Sequence, residues 1–267
     1  MRLFASKVSG IGTTSGWPVD LAQDPTLRKS FDLQRTKWGE VPYRQRDRIK
    51  SADLLNAPDT EILEVWNTAY LGSSTGQAFS VSGWYQQLYK DVFRGKKLLD
   101  VGCGLGRDSV FFAGHGARVT FLDLVESNVR FVQRVCALKQ LTDVAFCYME
   151  DLHSLSALAE DYDVIFCAGS FHHAPMEVAR MEARALLEHL PVGGRWIQLA
   201  YPESRWVLEG RQRFDKWGVS TDGSAPWAEW HDLAKLSQIL APAKFETIMN
   251  FEFHNSDFNW FDLVRRS

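Results

Sequence analysis

Cysteine is scarce: four residues in 267, at 103, 136, 147 and 167, none of them in a metal-ligand spacing. That excludes a disulfide scaffold and a cysteine-based zinc module, and it reads as reduced thiols. No apolar run approaches the length that crosses a membrane. Residues 1–7 lack the apolar stretch of a secretory signal, so a cytoplasmic location with no membrane partner is expected. An excess of one charge is also missing. Thirty Lys and Arg against 33 Asp and Glu leave a net −3, which speaks against a nucleic-acid partner.

What is present is a large apolar fraction, 45%, and ten tryptophans, enough for a sizeable core. Short apolar runs at 97–101, 118–122, 144–149, 163–168 and 195–200 alternate with helical patterns. Runs at 244–253 and 258–265, joined by His254-Asn255-Ser256-Asp257, read as a closing hairpin. The alternation predicts an α/β protein: a doubly wound, mostly parallel, seven-stranded sheet with a C-terminal antiparallel hairpin and an N-terminal helical lid. Two amphipathic helices precede the first strand. One carries Ile62, Val65, Trp66, Ala69 and Tyr70 behind Asp59; the other carries Val81, Trp84, Tyr85, Leu88, Tyr89 and Val92 behind Ser80. Residues 1–41 read as an irregular arm, and basic residues crowd from Arg28 to Lys50. The division expected is 1–94 for arm and lid and 95–267 for the core, with a substrate-side insert at about 202–226 and a helix at 227–240.

The sequence turns on Asp100-Val101-Gly102-Cys103-Gly104-Leu105-Gly106, a strand end running into a glycine-rich turn and a helix. Such turns let backbone approach a ligand at the carboxyl ends of strands. A dinucleotide fingerprint wants Gly-x-Gly-x-x-Gly. Here the third glycine falls one place early, at 106, which disfavours a nicotinamide dehydrogenase. The next strand ends in Asp123, an acid able to accept from ribose hydroxyls.

This ordered set resembles the class I (Rossmann-like) S-adenosylmethionine-dependent methyltransferases of small-molecule type, over about residues 95–265. The resemblance implies S-adenosyl-L-methionine as cofactor and S-adenosyl-L-homocysteine as product. It implies that Asp100, Gly102, Cys103, Gly104 and Gly106 hold the methionine part, and that Asp123 with Leu124 holds the ribose. Asp151 with Leu152 would meet the adenine, and Ala168 would lie near the sulfonium. Asp151 also has the sequence context of a helix N-cap.

For the acceptor side, His172, His173 and Tyr201 stand at strand mouths and are the candidate catalytic residues, with Trp84, Tyr85 and Arg205 as candidate substrate contacts. His172, His173 and Cys167 are too contiguous to wrap one tetrahedral ion, so no metal is expected. After the fourth strand there is no Asn-Pro-Pro-Tyr run, which argues against exocyclic amines of nucleobases. The reading that remains is methyl transfer to an oxygen, or less readily a nitrogen, of a small anionic or glycosyl metabolite. A non-catalytic cofactor-binding regulator or scaffold, or a protein or RNA methyltransferase, is the alternative. No signal for an oligomeric state is visible.

Overall fold

The computed structural model describes residues 24–43 and 47–267. The part of the arm before residue 24, and Arg44 and Arg46 of the basic cluster, lie outside the described residues. The first element corrects the expectation of an irregular arm: α1 (Pro25–Trp38) is a helix. Asp24 caps it by accepting from Thr26 and Leu27 N–H, Pro25 occupies the first turn, and Arg35 and Lys37 sit at its C-terminal end. Leu27, Phe31 and Gln34 form its buried stripe.

A two-stranded antiparallel hairpin follows, β1 (Glu40–Pro42) with β2 (Arg48–Lys50). Then come α2 (Ser51–Leu54), α3 (Asp59–Ser74) and α4 (Gly83–Tyr89). The α4 helix is shorter than the apolar periodicity suggested, because residues 76–80 form a separate 3-10 turn.

The core runs β3 (Lys97–Val101), α5 (Arg107–Gly114), β4 (Arg118–Asp123), α6 (Glu126–Leu138), β5 (Val144–Tyr148), β6 (Val164–Ala168), α7 (Met176–Leu186) and β7 (Arg195–Ala200). The insert holds two short helices, α8 (Glu203–Leu208) and α9 (Phe214–Thr221). The helix expected at 227–240 is only α10 (Leu233–Ile239), capped by Asp232. Residues before it are extended, and Trp230 bridges in parallel to Tyr201. The chain closes with β8 (Phe245–Phe253) and β9 (Phe258–Arg265).

The seven strands order β5-β4-β3-β6-β7-β9-β8, with all neighbours parallel from β5 to β7 and β9 antiparallel to both β7 and β8. The doubly wound expectation therefore holds. Side chains alternate across the sheet. Leu99, Ile165 and Cys167 face α7, α10 and α1; Leu98, Val164 and Phe166 face α3 to α6. Sequence order reverses between β3 and β6, and the crevice outside their carboxyl ends is where such sheets bind ligands.

Candidate active site

At that crevice lies a cavity of about 260 Å³. Its floor is the turn after β3. Gly102 has φ +72°, and a Cβ there would stand 2.6 Å from the Ser170 Cβ, so the approach of the two loops requires glycine. Ser170 Oγ donates to the Val101 carbonyl at 2.8 Å and locks that approach. Gly104, at φ +53°, meets nothing within 4 Å of where a Cβ would be, and both glycines line the cavity.

Asp123 closes one side. Its Oδ2 accepts from Gly104 N–H at 2.8 Å; its Oδ1 accepts from Val125 N–H at 2.8 Å and from the Asn128 amide at 3.4 Å. Three donors on a carboxylate with about four acceptor positions leave room for a hydroxyl. Burial raises the Asp123 pKa, and those donors oppose the shift. Asp100 is buried off the cavity. Desolvation, with the charges of Asp108 and Asp123, pushes its pKa up to about 8. Cys103 and Gly106 also lie behind the lining: Gly106 is the N-cap of α5, and a Cβ on it would run into Val132.

The roof is α1 with β1 and β2, which contribute Phe31, Gln34, Trp38, Glu40 and Arg48 to the lining. Two residues of the basic cluster tie the roof down. Arg35 donates to the Leu124 carbonyl at 3.1 Å, to Met149 at 3.4 Å and to Glu150, so its guanidinium ties α1 to the ends of β4 and β5. Lys37 donates to the Gly223 carbonyl, and burial lowers its pKa. Gln34 donates to the His173 carbonyl and accepts from the Trp38 indole at 2.8 Å.

On the acceptor side the structure separates the candidates. His173 lines the cavity, 4.6 Å from the Trp38 ring, but both its nitrogens point into protein. Its Nδ1 lies 3.0 Å from the Trp227 carbonyl and its Nε2 lies 3.6 Å from Asp222 Oδ2. His172 is fully buried behind it, with its ring 4.2 Å from Tyr201 and its pKa well below the usual range because of burial. Tyr201 is packed over by Arg205 at 4.2 Å and donates to the Asp222 carboxylate; burial and that carboxylate push its pKa up. His172 and Tyr201 lie outside the cavity lining.

The other candidates lie elsewhere. Asp151 accepts from His153 and Ser154 N–H as a capping box and borders a separate recess beside Arg35, while Leu152 is core. Ala168 ends β6 just short of the lining, which begins at Gly169. Trp84 packs on Phe251, Phe253 and Trp260 at 5.1–5.2 Å, and Tyr85 stacks on Trp260 at 4.6 Å. Both belong to the sheet face under the hairpin, away from the cavity. Arg205 is held by Glu209 at 2.9 Å and the Asp257 carbonyl at 3.3 Å, behind Tyr201.

Glu182 was not singled out in the sequence. It projects from α7 into the cavity lining with no described residue donating to its carboxyl, and desolvation pushes its pKa up to about 7. A signal existed: it is the one acid on the stripe Val178, Ala179, Glu182, Ala183, Leu186.

Residues 98–194 match the family described as methyltransferase domain. The chain is 37% identical over 84 residues to the ubiquinone biosynthesis O-methyltransferase of Coxiella burnetii, covering 32% of this chain and 35% of the relative. To that of Bordetella parapertussis it is 31% identical over 115 residues, covering 43% and 46%. The matches thus span a third to a half of those relatives' length. Among solved structures it superposes on the N-methyltransferase NodS of Bradyrhizobium japonicum in complex with S-adenosyl-L-homocysteine, with a TM-score of 0.54, 15% identity, and 81% and 96% of the two chains covered. For the magnesium protoporphyrin IX methyltransferase of Synechocystis with the same ligand bound, the TM-score is 0.52 at 22% identity, covering 80% and 97%. Identities this low speak to fold. Residues 98–194 thus resemble a methyltransferase domain, and the chain carries the Rossmann-like fold seen in those methyltransferase structures.

Proposed function

We propose that this protein is an S-adenosylmethionine-dependent methyltransferase acting on an oxygen of a small, hydroxyl-bearing metabolite. The observation that carries the reading is Asp123, tied to Gly104 N–H and lining the cavity with an acceptor position left over. When bound, the cofactor supplies an activated methyl group, and transfer then depends mainly on positioning. The open backbone at Gly104 and the carboxylate of Asp123 suit the methionine and ribose portions. Phe31 and Trp38 on α1 keep water off the site. A hydroxyl acceptor must lose a proton, and we assign that proton to Glu182, the cavity carboxyl whose pKa burial pushes up to about 7.

The cavity supports a choice between the acceptors expected from sequence. Among the described residues its lining holds the carboxyls of Glu40, Asp123 and Glu182 beside the guanidinium of Arg48, a balance that suits an uncharged acceptor. A neutral polyol or glycosyl acceptor, packed on Trp38, fits better. The relatives named as O-methyltransferases support oxygen over nitrogen. The covered mouth favours a small acceptor over a protein or RNA. In this reading residues up to 94 form the arm and lid, 95–267 the core, and about 202–226 the substrate-side insert.

A thermal shift series with S-adenosylmethionine, S-adenosylhomocysteine, NAD and NADP tests the proposal. At about 100 times its dissociation constant, a cofactor adds roughly 2.7 kcal/mol and raises the midpoint by several degrees. The two methionine-derived ligands should shift wild type and the nicotinamide pair should not. Asp123→Ala should weaken S-adenosylhomocysteine binding by about 1.5–3 kcal/mol, the scale of a lost charged hydrogen bond. A shift with NAD alone, or unchanged affinity in the variant, would overturn it.

A further inference from the structure

The contiguity of His172 and His173 argues against a metal if Cys167 must supply the third donor. The fold supplies a different one. Asp222, at the end of α9, is brought against the turn after β6, and one donor atom each from His172, His173 and Asp222 lies within 4.8 Å of the other two. Two imidazoles and one carboxylate are a donor set that suits divalent first-row transition ions and leaves further coordination positions open.

Three features of the cluster suit a cation. First, His173 Nδ1 faces the Trp227 carbonyl, which only accepts, so the proton sits on Nδ1 and the Nε2 lone pair is directed at Asp222. A backbone carbonyl orienting the far nitrogen is also the usual outer support of a metal-bound histidine. Second, Nε2 and Asp222 Oδ2 stand 3.6 Å apart, beyond hydrogen-bond distance, as two acceptors facing each other. Third, His172 is 1% exposed and, among the described residues, neither ring nitrogen has a hydrogen-bond partner in good geometry. The nearby Leu199 carbonyl already accepts from Gly169 N–H at 3.1 Å. A buried orphan imidazole is costly unless something fills its lone pair.

We propose that His172, His173 and Asp222 form a binding site for one divalent transition-metal ion of the zinc or cobalt type. Asp222 keeps part of its side chain exposed, which gives the ion a way in, and Tyr201 O–H donates to its carboxylate as outer support. The ion would join the insert to the β6 turn behind the wall that His173 presents to the cavity. This goes beyond the methyltransferase reading and does not depend on it.

Untagged protein, stripped with chelator and titrated with Co²⁺ and then Zn²⁺, tests the site. The expected result is one equivalent of Co²⁺ per chain, with d–d absorption and no thiolate charge-transfer band, displaced by Zn²⁺. Asp222→Asn and His173→Gln should each weaken Co²⁺ binding at least tenfold, and Asp222→Asn, which lies off the cavity lining, should keep the wild-type response to S-adenosylhomocysteine in the thermal shift. His172→Phe should fold at least as well as the metal-free wild type, because it removes orphaned nitrogens, yet lose the Zn²⁺-induced shift. No stoichiometric binding, binding with thiolate character, or binding indifferent to all three variants would overturn the site. Loss of the cofactor response in wild type would instead count against the methyltransferase reading alone.

Discussion

Glu182 concentrates the residue-scale energetics of this site. Among the described residues its buried carboxyl has no donor, and its pKa is pushed up to about 7 from an ordinary value of 4.5. Between those values the folded protein keeps a proton that the unfolded chain has released. Stability therefore falls as pH rises through about 4.5 to 7 and levels off above it. Glu182→Gln should remove that slope and stabilise the fold by a few kcal/mol above pH 7, with little effect near pH 4.5. Urea unfolding at the two pH values checks it. The same variant should lower turnover about a hundredfold or more if Glu182 takes the acceptor proton; a loss under about tenfold removes that role. Asp123 and Glu182 differed in legibility for a simple reason. Asp123 ends a strand nineteen residues after Gly104, a spacing visible in the chain. Glu182 is one acid in a helix with several, and only packing shows that it faces inward.

At the scale of elements, α1 is the part that sequence reading missed. Its cap and its stripe of Leu27, Phe31 and Gln34 were present in the chain, but the region read as an irregular arm crowded with basic residues. Tertiary contacts gave those residues partners: Arg35 and Lys37 meet backbone carbonyls left at the ends of loops. A charged donor on such carbonyls is worth about 1.5–3 kcal/mol. Arg35→Ala should accordingly speed amide exchange over residues 25–38 by about tenfold or more, and weaken S-adenosylhomocysteine binding in parallel. Arg130→Ala, which breaks only an exposed pair with Glu126, should do neither. Equal exchange in the two variants would mean that Arg35 does not hold the helix down.

For the whole molecule, one sheet serves two cores, so loosening one face loosens the other. Trp260 is fully buried and packs on Trp84, Tyr85, Tyr89 and Phe166, while its strand neighbours Phe261 and Leu263 belong to the opposite core. Trp260→Ala should cost about 3–5 kcal/mol and lower the midpoint by about 10 °C in a single transition. Coincident far- and near-ultraviolet circular dichroism melts would show it; two separate transitions would mean that the faces unfold independently.

The strand positions, the closing hairpin, the glycine turn and Asp123 were determined by the sequence itself. Each rests on a local pattern: a period of two, a residue without Cβ at positive φ, an acid at a strand end. What lines the cavity and what meets His173 was decided only in three dimensions. Gln34 reaches His173 across 139 residues and Lys37 reaches Gly223 across 186. Asp222 faces His173 because α9 folds back over the β6 turn. No local pattern encodes such pairings, because they follow from how the layers stack, and burial then sets the protonation of whatever they enclose.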